Sequence, residues 1–202
     1  MTPPGTFERV YAAIKQRLRE GRYRPGDRLD PAALSEELYA SVTPVRDALH
    51  RLTGERLVEA PPHGGFRVPA MTEGTLRQLY AWHLDLLLLA IIKQRAAMSG
   101  DEAGLEAAKA GNARERQLNL FLALARSAGN PEHAIALSRL SERLEPVQRL
   151  EQAFLDGTDA ETEEIVEAIR AGDRKALRRS LVRYHRRREQ IVPQLLASLV
   201  RV

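Results

Sequence analysis

The sequence predicts a mostly α fold: an N-terminal winged helix-turn-helix followed by an all-α helical bundle. Three observations carry this. Two short helical patterns meet at residues 39–43, the first with Leu34 and Leu38 four apart, the second repeating Val45, Ala48, Leu49 and Leu52. Two β-prone stretches, 56–60 and 66–70, flank Pro61-Pro62-His63-Gly64-Gly65, which reads as the turn of a small hairpin. Beyond Met71 strand signals vanish, and apolar residues recur only at helical spacing.

In chain order, Thr6 suits the cap of a helix with Phe7, Val10, Tyr11, Ile14 and Leu18 on one face, and Gly21 suits its end. Pro25-Gly26 marks a turn within residues 23–28. Asp30-Pro31 reads as cap and first-turn proline of the helix through Leu38. Pro44 cannot donate an amide, so it belongs in a first helical turn with Ser41 or Thr43 as cap; Gly54 ends that helix. Arg46, His50 and Arg51 lie off its apolar face, which leaves it able to enter a major groove. The plain alternative is an ordinary helix start with one exposed arginine. Leu76, Leu79, Tyr80 and Leu84 begin the helical region. A helix is expected over 102–126, another over 132–154 with a kink at Pro146, an acidic one over 158–169, and a last one capped by Asp173 and bent at Pro193. The boundary between the two units is placed near residues 69–72, giving domains 1–70 and 71–202.

At 202 residues, 44% hydrophobic and 29% charged, the chain is long enough for one or two packed cores. It holds no cysteine, which excludes structural disulfides and thiolate metal sites and fits a cytoplasmic address. No secretory signal pattern opens it, and the apolar run 86–92 is too short to cross a bilayer, so no membrane partner is expected. That run reads as buried core, with a dimer interface as second reading because its leucines exceed one helical face. Net charge is +4, compatible with a polyanionic partner, yet residues 1–70 carry 11 basic and 9 acidic groups and residues 71–202 carry 20 and 18. Charge alone therefore does not establish nucleic-acid binding. The basic stretch 174–188 reads as a solvated face answering the acidic 161–167 rather than as a phosphate-binding helix. With no Cys, no H-E-x-x-H and no phosphate loop, nothing converges on enzyme chemistry.

Three strings at matching spacing closely resemble the GntR family of bacterial transcription regulators: Arg24-Pro25-Gly26-Asp27-Arg28-Leu29, Ser41-x-Thr43-Pro44-Val45-Arg46-Asp47-Ala48-Leu49, and His63-Gly64-Gly65-x-x-Val68. The helical remainder resembles the FadR-type (FCD) effector domain through Leu79-Tyr80, Gly129-Asn130-Pro131, Ala168-Ile169, Gly172-Asp173 and His185. The resemblance implies double-stranded DNA as partner, a small-molecule effector and a homodimer on a near-palindromic operator. It puts Ser41 and Thr43 against phosphates, Arg46 on a guanine, and His63 and Gly64 at a wing tip in the minor groove. Two arginines usual in the family are here Val42 and Ala32, and the usual turn glycine is Tyr39, a residue expected to resist positive φ. The family's metal ligands fall on Gln117, Phe121, Thr162 and His185, and its pocket arginine on His83. That set implies a site without metal or other cofactor and a neutral, more apolar effector cavity. The expected function is an effector-responsive, DNA-binding transcription regulator. The alternative is a ligand-binding or interaction module whose sequence reading has weakened.

Overall fold

A computed structural model describes residues 5–93 and 113–201. Among these are nine α-helices, one 3-10 turn (Glu151–Ala153) and one small sheet: α1 (Thr6–Arg19), β1 (Arg28–Leu29), α2 (Pro31–Glu37), α3 (Val42–Gly54), β2 (Phe66–Arg67), α4 (Glu73–Lys93), α5 (Ala113–Ser127), α6 (Pro131–Gln148), α7 (Thr158–Arg170), α8 (Arg174–Gln190) and α9 (Val192–Arg201). The mostly α class is as expected. The helix expected over 102–126 is seen from Ala113; residues 102–112 lie outside the described residues.

Local signals place the first helices. The Asp30 carboxylate accepts the Ala32 amide at 2.8 Å, with Pro31 in the first turn of α2. Gly21, φ +73°, follows α1 and turns the chain back. Helices α1, α2 and α3 then bury Val10, Ile14, Leu34, Val45, Leu49 and Leu52 in one core, to which Leu29 and Phe66 contribute from the sheet. The wing differs from the expected hairpin. Glu59 and Arg67 exchange backbone hydrogen bonds of 2.8 and 3.0 Å as a single bridge. The main partner of β2 is instead β1, antiparallel, with Leu29 opposite Phe66 and Arg28 opposite Arg67. Past the bridge the ladder stops on both sides: Pro61 has no amide hydrogen on the turn side, and on the other Pro69 has none while the Leu57 amide is bonded to Leu52 O.

The second core is formed by α4 to α9. Helix α4 packs against α5, α6, α8 and α9 and buries Leu76, Tyr80, Leu87 and Ala90. Its length and hydropathy would let it cross a membrane, but here it is the central helix of the bundle. The leucine-rich run divides: Leu86, Leu87, Ala90 and Ile91 are buried, whereas Leu89 and Ile92 face out with Trp82, 50% exposed. Two expectations are corrected. Pro146 lies in the last turn of α6, near the end of the helix, where its missing amide removes a ladder bond close to a terminus. Pro193 does not bend one long helix: the chain breaks at Ile191, and Pro193 sits in the first turn of α9, where no amide is needed. The acidic and basic helices answer each other through Arg183–Glu164, Arg187–Glu161 at 3.1 Å and Arg188–Glu161 at 2.7 Å. Helix α1 rests on α6, where Lys15 Nζ lies 2.9 Å from both Glu55 and Glu142 and Arg19 pairs with Glu145.

Candidate nucleic-acid interface and helical core

The turn before α3 is held from outside itself. Arg9 donates to the carbonyls of Leu38 at 2.8 Å and Tyr39 at 3.3 Å. Tyr39 takes φ +49° with its side chain 92% exposed, so the expected resistance to positive φ is overcome rather than avoided. A left-handed non-glycine residue costs roughly 1–2 kcal/mol, which the Arg9 bonds and the packing of α2 on α3 offset. Ser41 is the N-cap of α3 and its side chain makes no capping bond. The first-turn amides and the exposed Ser41 and Thr43 hydroxyls therefore remain available to an anion. On the outer face His50 is edge-on to Phe66 at 4.9 Å, and Arg51 lies over the Tyr11 ring at 4.2 Å. Arg46 is exposed and has no ion-pair partner among the described residues. Of the cations on α3 it is the one that lies against no ring or carboxylate of the described residues, since Arg51 covers Tyr11 and sits 3.6 Å from Glu55.

At the wing tip the Gly64 amide donates to the Pro61 carbonyl at 3.0 Å, and His63 takes φ +65°. A Cβ on Gly64 would lie 2.6 Å from Pro61 Cγ, so this tight turn requires glycine there. His63 and Gly64 are both exposed. Arg28 and Arg67 stand opposite each other in the sheet, both exposed, with Arg67 3.0 Å from Glu59. The sequence reading missed this cationic pair, because a two-residue strand carries no periodicity to detect.

In the helical body the five residues expected around an effector do come together. Thr162 accepts from Gln117 Nε2 at 3.4 Å, and the Tyr184 hydroxyl donates to Gln117 Oε1 at 2.8 Å. Phe121 stands edge-on to both Tyr184 and His83, with ring centroids 5.3 and 5.4 Å apart. His83 Nδ1 is 2.9 Å from His185 Nε2. All five side chains are buried, at 8% exposure or less. The proton order follows from one carbonyl. Leu181 O lies 2.7 Å from His185 Nδ1, which must donate; His185 Nε2 then accepts from His83 Nδ1. That order assumes two neutral rings, and burial is what keeps them so: it drives His83 well below its ordinary value and His185 down to about 4.

The space expected as a neutral cavity is occupied by these rings, and an ionic cluster that the sequence reading missed adjoins it. Buried Arg188 pairs with Glu151 at 2.9 Å and Glu161 at 2.7 Å, lies over the Tyr184 ring at 3.3 Å, and Glu151 accepts the Tyr80 hydroxyl at 2.8 Å. Burial raises the Glu151 carboxyl despite Arg188 and Tyr80. A recess of about 20 Å³ opens beside Gln117, Thr162 and Arg188. The donor set does not fit a metal: Phe121 offers a ring, Gln117 and Thr162 are engaged with each other, and the histidine nitrogens that face each other already share a hydrogen. Among the described residues no three His, Asp or Glu side chains converge as a metal would require.

A winged helix-turn-helix with an open recognition face, set on a helical bundle, is the architecture of a DNA-binding domain with an appended helical body. Residues 6–68 match the family model of bacterial regulatory proteins, gntR family, and form a GntR-family helix-turn-helix domain. Among curated relatives, the HTH-type transcriptional regulator McbR of Escherichia coli (strain K12) is 35% identical over 78 residues, 39% of this chain and 35% of McbR. The uncharacterized HTH-type transcriptional regulator YdhC of Bacillus subtilis (strain 168) is 25% identical over 89 residues, 44% of this chain and 40% of YdhC. The alignments thus span well under half of these relatives. The overall fold reaches further. A GntR transcriptional regulator from Rhodococcus sp. RHA1 superposes with TM-score 0.77 at 20% identity, covering 93% of this chain and 97% of its own. E. coli McbR/YncC gives 0.66 at 23%, covering 95% and 98%. At such identities the likeness speaks for the fold.

Proposed function

We propose that the chain is a homodimeric transcription regulator of the FCD type, with a DNA-reading unit at 1–70 and an effector-sensing, dimer-forming unit at 71–202, working on DNA in the cytoplasm. Uncommitted Arg46 at the open start of α3, beside an exposed wing, carries the reading. Ser41 and Thr43 would meet phosphates, Arg46 a guanine edge, and His63 and Gly64 the minor groove. The named relatives are transcriptional regulators and none is an enzyme. The two-fold partner would cover the outward stripe of α4, Trp82, Leu89 and Ile92. His83, Gln117, Phe121, Thr162 and His185 are the proposed effector-facing residues, without metal; a ligand there must displace packed rings, which couples its binding to a change in the body.

Selection from random duplexes by the purified protein tests this. One enriched near-palindromic sequence is expected, with dimer-dependent binding that Arg46→Ala weakens. No enrichment would refute it. The second reading, a module with weakened sequence preference, rests on Val42 and Ala32, both exposed where arginines would read bases. It predicts steeply salt-dependent binding with no preferred sequence.

A further inference from the structure

A second cavity, about 70 Å³, lies where the two cores meet. Its walls are the residues after α3 (Arg56, Leu57), the chain leaving β2 (Val68, Met71) and the C-terminal turns of α6 (Arg143, Val147). The lining is mainly apolar, and two charged side chains break that pattern. Neither Arg56 nor Arg143 makes a guanidinium hydrogen bond or salt bridge with any described residue. Arg143 is half-buried, and both burial and the charge of Arg56 lower its pKa. Arginine stays protonated regardless, so two like charges, Arg56 exposed and Arg143 half-buried, stand at the edge of an apolar space, an arrangement that an anion would relieve. The larger groove between α1 and α5–α6 offers no such opening. There Lys15, Arg19, Arg114 and Arg149 each already have a carboxylate partner.

We propose that the junction cavity binds a small organic oxyanion, its carboxylate or phosphate between Arg56 and Arg143 and its short apolar body against Leu57, Val68, Met71 and Val147. Planar guanidinium forks match either head group, while the lining favours carbon over water. Since the walls come from the end of the recognition helix and from the body, an occupant would fix one against the other. That consequence rests on the regulator reading above; the binding itself does not.

The test uses the whole protein at constant ionic strength, with butyrate, ethyl phosphate, butan-1-ol and inorganic phosphate followed by calorimetry and thermal shift. Saturable millimolar binding of butyrate or ethyl phosphate is expected, and the stronger of the two identifies the head group. Butan-1-ol and inorganic phosphate should each bind at least about tenfold more weakly, a tenfold change being about 1.4 kcal/mol. Arg143→Gln and Arg56→Gln should each lose at least about tenfold in affinity without lowering the melting temperature of the unliganded protein, because a like-charge contact is removed. Arg178→Gln, on the exposed face of α8, should bind as the parent does. The inference is overturned if neither organic anion saturates by about 50 mM, if butan-1-ol binds as well as butyrate, or if both variants bind unchanged. Operator enrichment without anion binding would sink this inference alone; anion binding without enrichment would sink the regulator reading alone.

Discussion

The outer face of α3 and the interior of the helical body both carry polar side chains, in opposite conditions. On α3, Ser41, Thr43 and Arg46 are exposed with hydrogen-bonding capacity unspent. In the body, Gln117, Thr162, Tyr184, His83 and His185 are buried and bonded to one another, and Arg188 closes the network against two carboxylates. The first arrangement costs nothing to keep open because water satisfies it, and it can exchange water for phosphate and base edges. The second would be expensive to leave open, so its members hold each other. Mutating the two regions should therefore split stability from binding.

The largest effect is expected at Arg188. Arg188→Met removes the cation from two buried carboxylates and should cost roughly 3–5 kcal/mol of folding stability, read as a lower denaturant midpoint. Adding Glu151→Gln and Glu161→Gln to that variant should restore part of the loss, since no uncompensated charge then remains. A drop under about 1 kcal/mol would mean that the cluster behaves as a surface pair, and the contrast between the regions would fail.

Acid should find the same core. His185 is held neutral, near a pKa of about 4, chiefly by burial, while the unfolded chain takes its proton near 6.5. The unfolded state thus binds more protons between those values, so stability is complete above about pH 6.5 and falls as the pH drops toward 4. The His185 share is roughly 3 kcal/mol, and His83, depressed in the same direction, adds to it. Glu151 runs the other way, because a raised carboxyl favours the fold as the pH falls. The clean measurement is the difference between the parent and His185→Gln in urea midpoints at pH 7.5, 5.5 and 4.5; equal slopes would show that His185 is not the group responsible.

Arg46→Ala should show the reverse pattern. It should weaken binding to the selected operator by about 1–3 kcal/mol and relax preference at one base pair of each half-site. Stability should stay within about 0.5 kcal/mol, as for any exposed side chain without a partner. Weakening that is uniform across sequences would demote Arg46 to a phosphate contact.

What was legible in the sequence was what acts over a few residues. Asp30-Pro31 and Asp173 each announce a helix start, and each side chain accepts a first-turn amide, as Asn130, read only as a chain break, also does. The spacing of Val45, Ala48, Leu49 and Leu52 fixes which face of α3 is inside, and hence that Arg46 is outside. Resemblance brought His83 and His185 into one neighbourhood although 102 residues separate them. Tyr80, Glu151 and Arg188 stayed hidden, because each alone is an ordinary helical residue and only tertiary packing makes them a buried triad. Arg56 and Arg143 were invisible for the same reason. The β1–β2 pairing failed to show because two residues cannot display an alternation.

The smallest effect is the most local. Tyr39 sits at φ +49° with its ring in solvent, so its side chain contributes strain without burial. Tyr39→Gly removes a cost of roughly 1–2 kcal/mol and adds back the entropy of a freer unfolded chain, roughly 0.5–1 kcal/mol. A net gain of about 0.5–1 kcal/mol should appear in the denaturant midpoint. The consequence for DNA binding separates two roles for the ring. If the turn serves only to set α2 against α3, operator affinity should be unchanged in the more stable variant. A loss of affinity alongside the gain in stability would mean that the exposed ring itself touches the duplex, and the reading face would then extend beyond α3 into the turn that Arg9 holds.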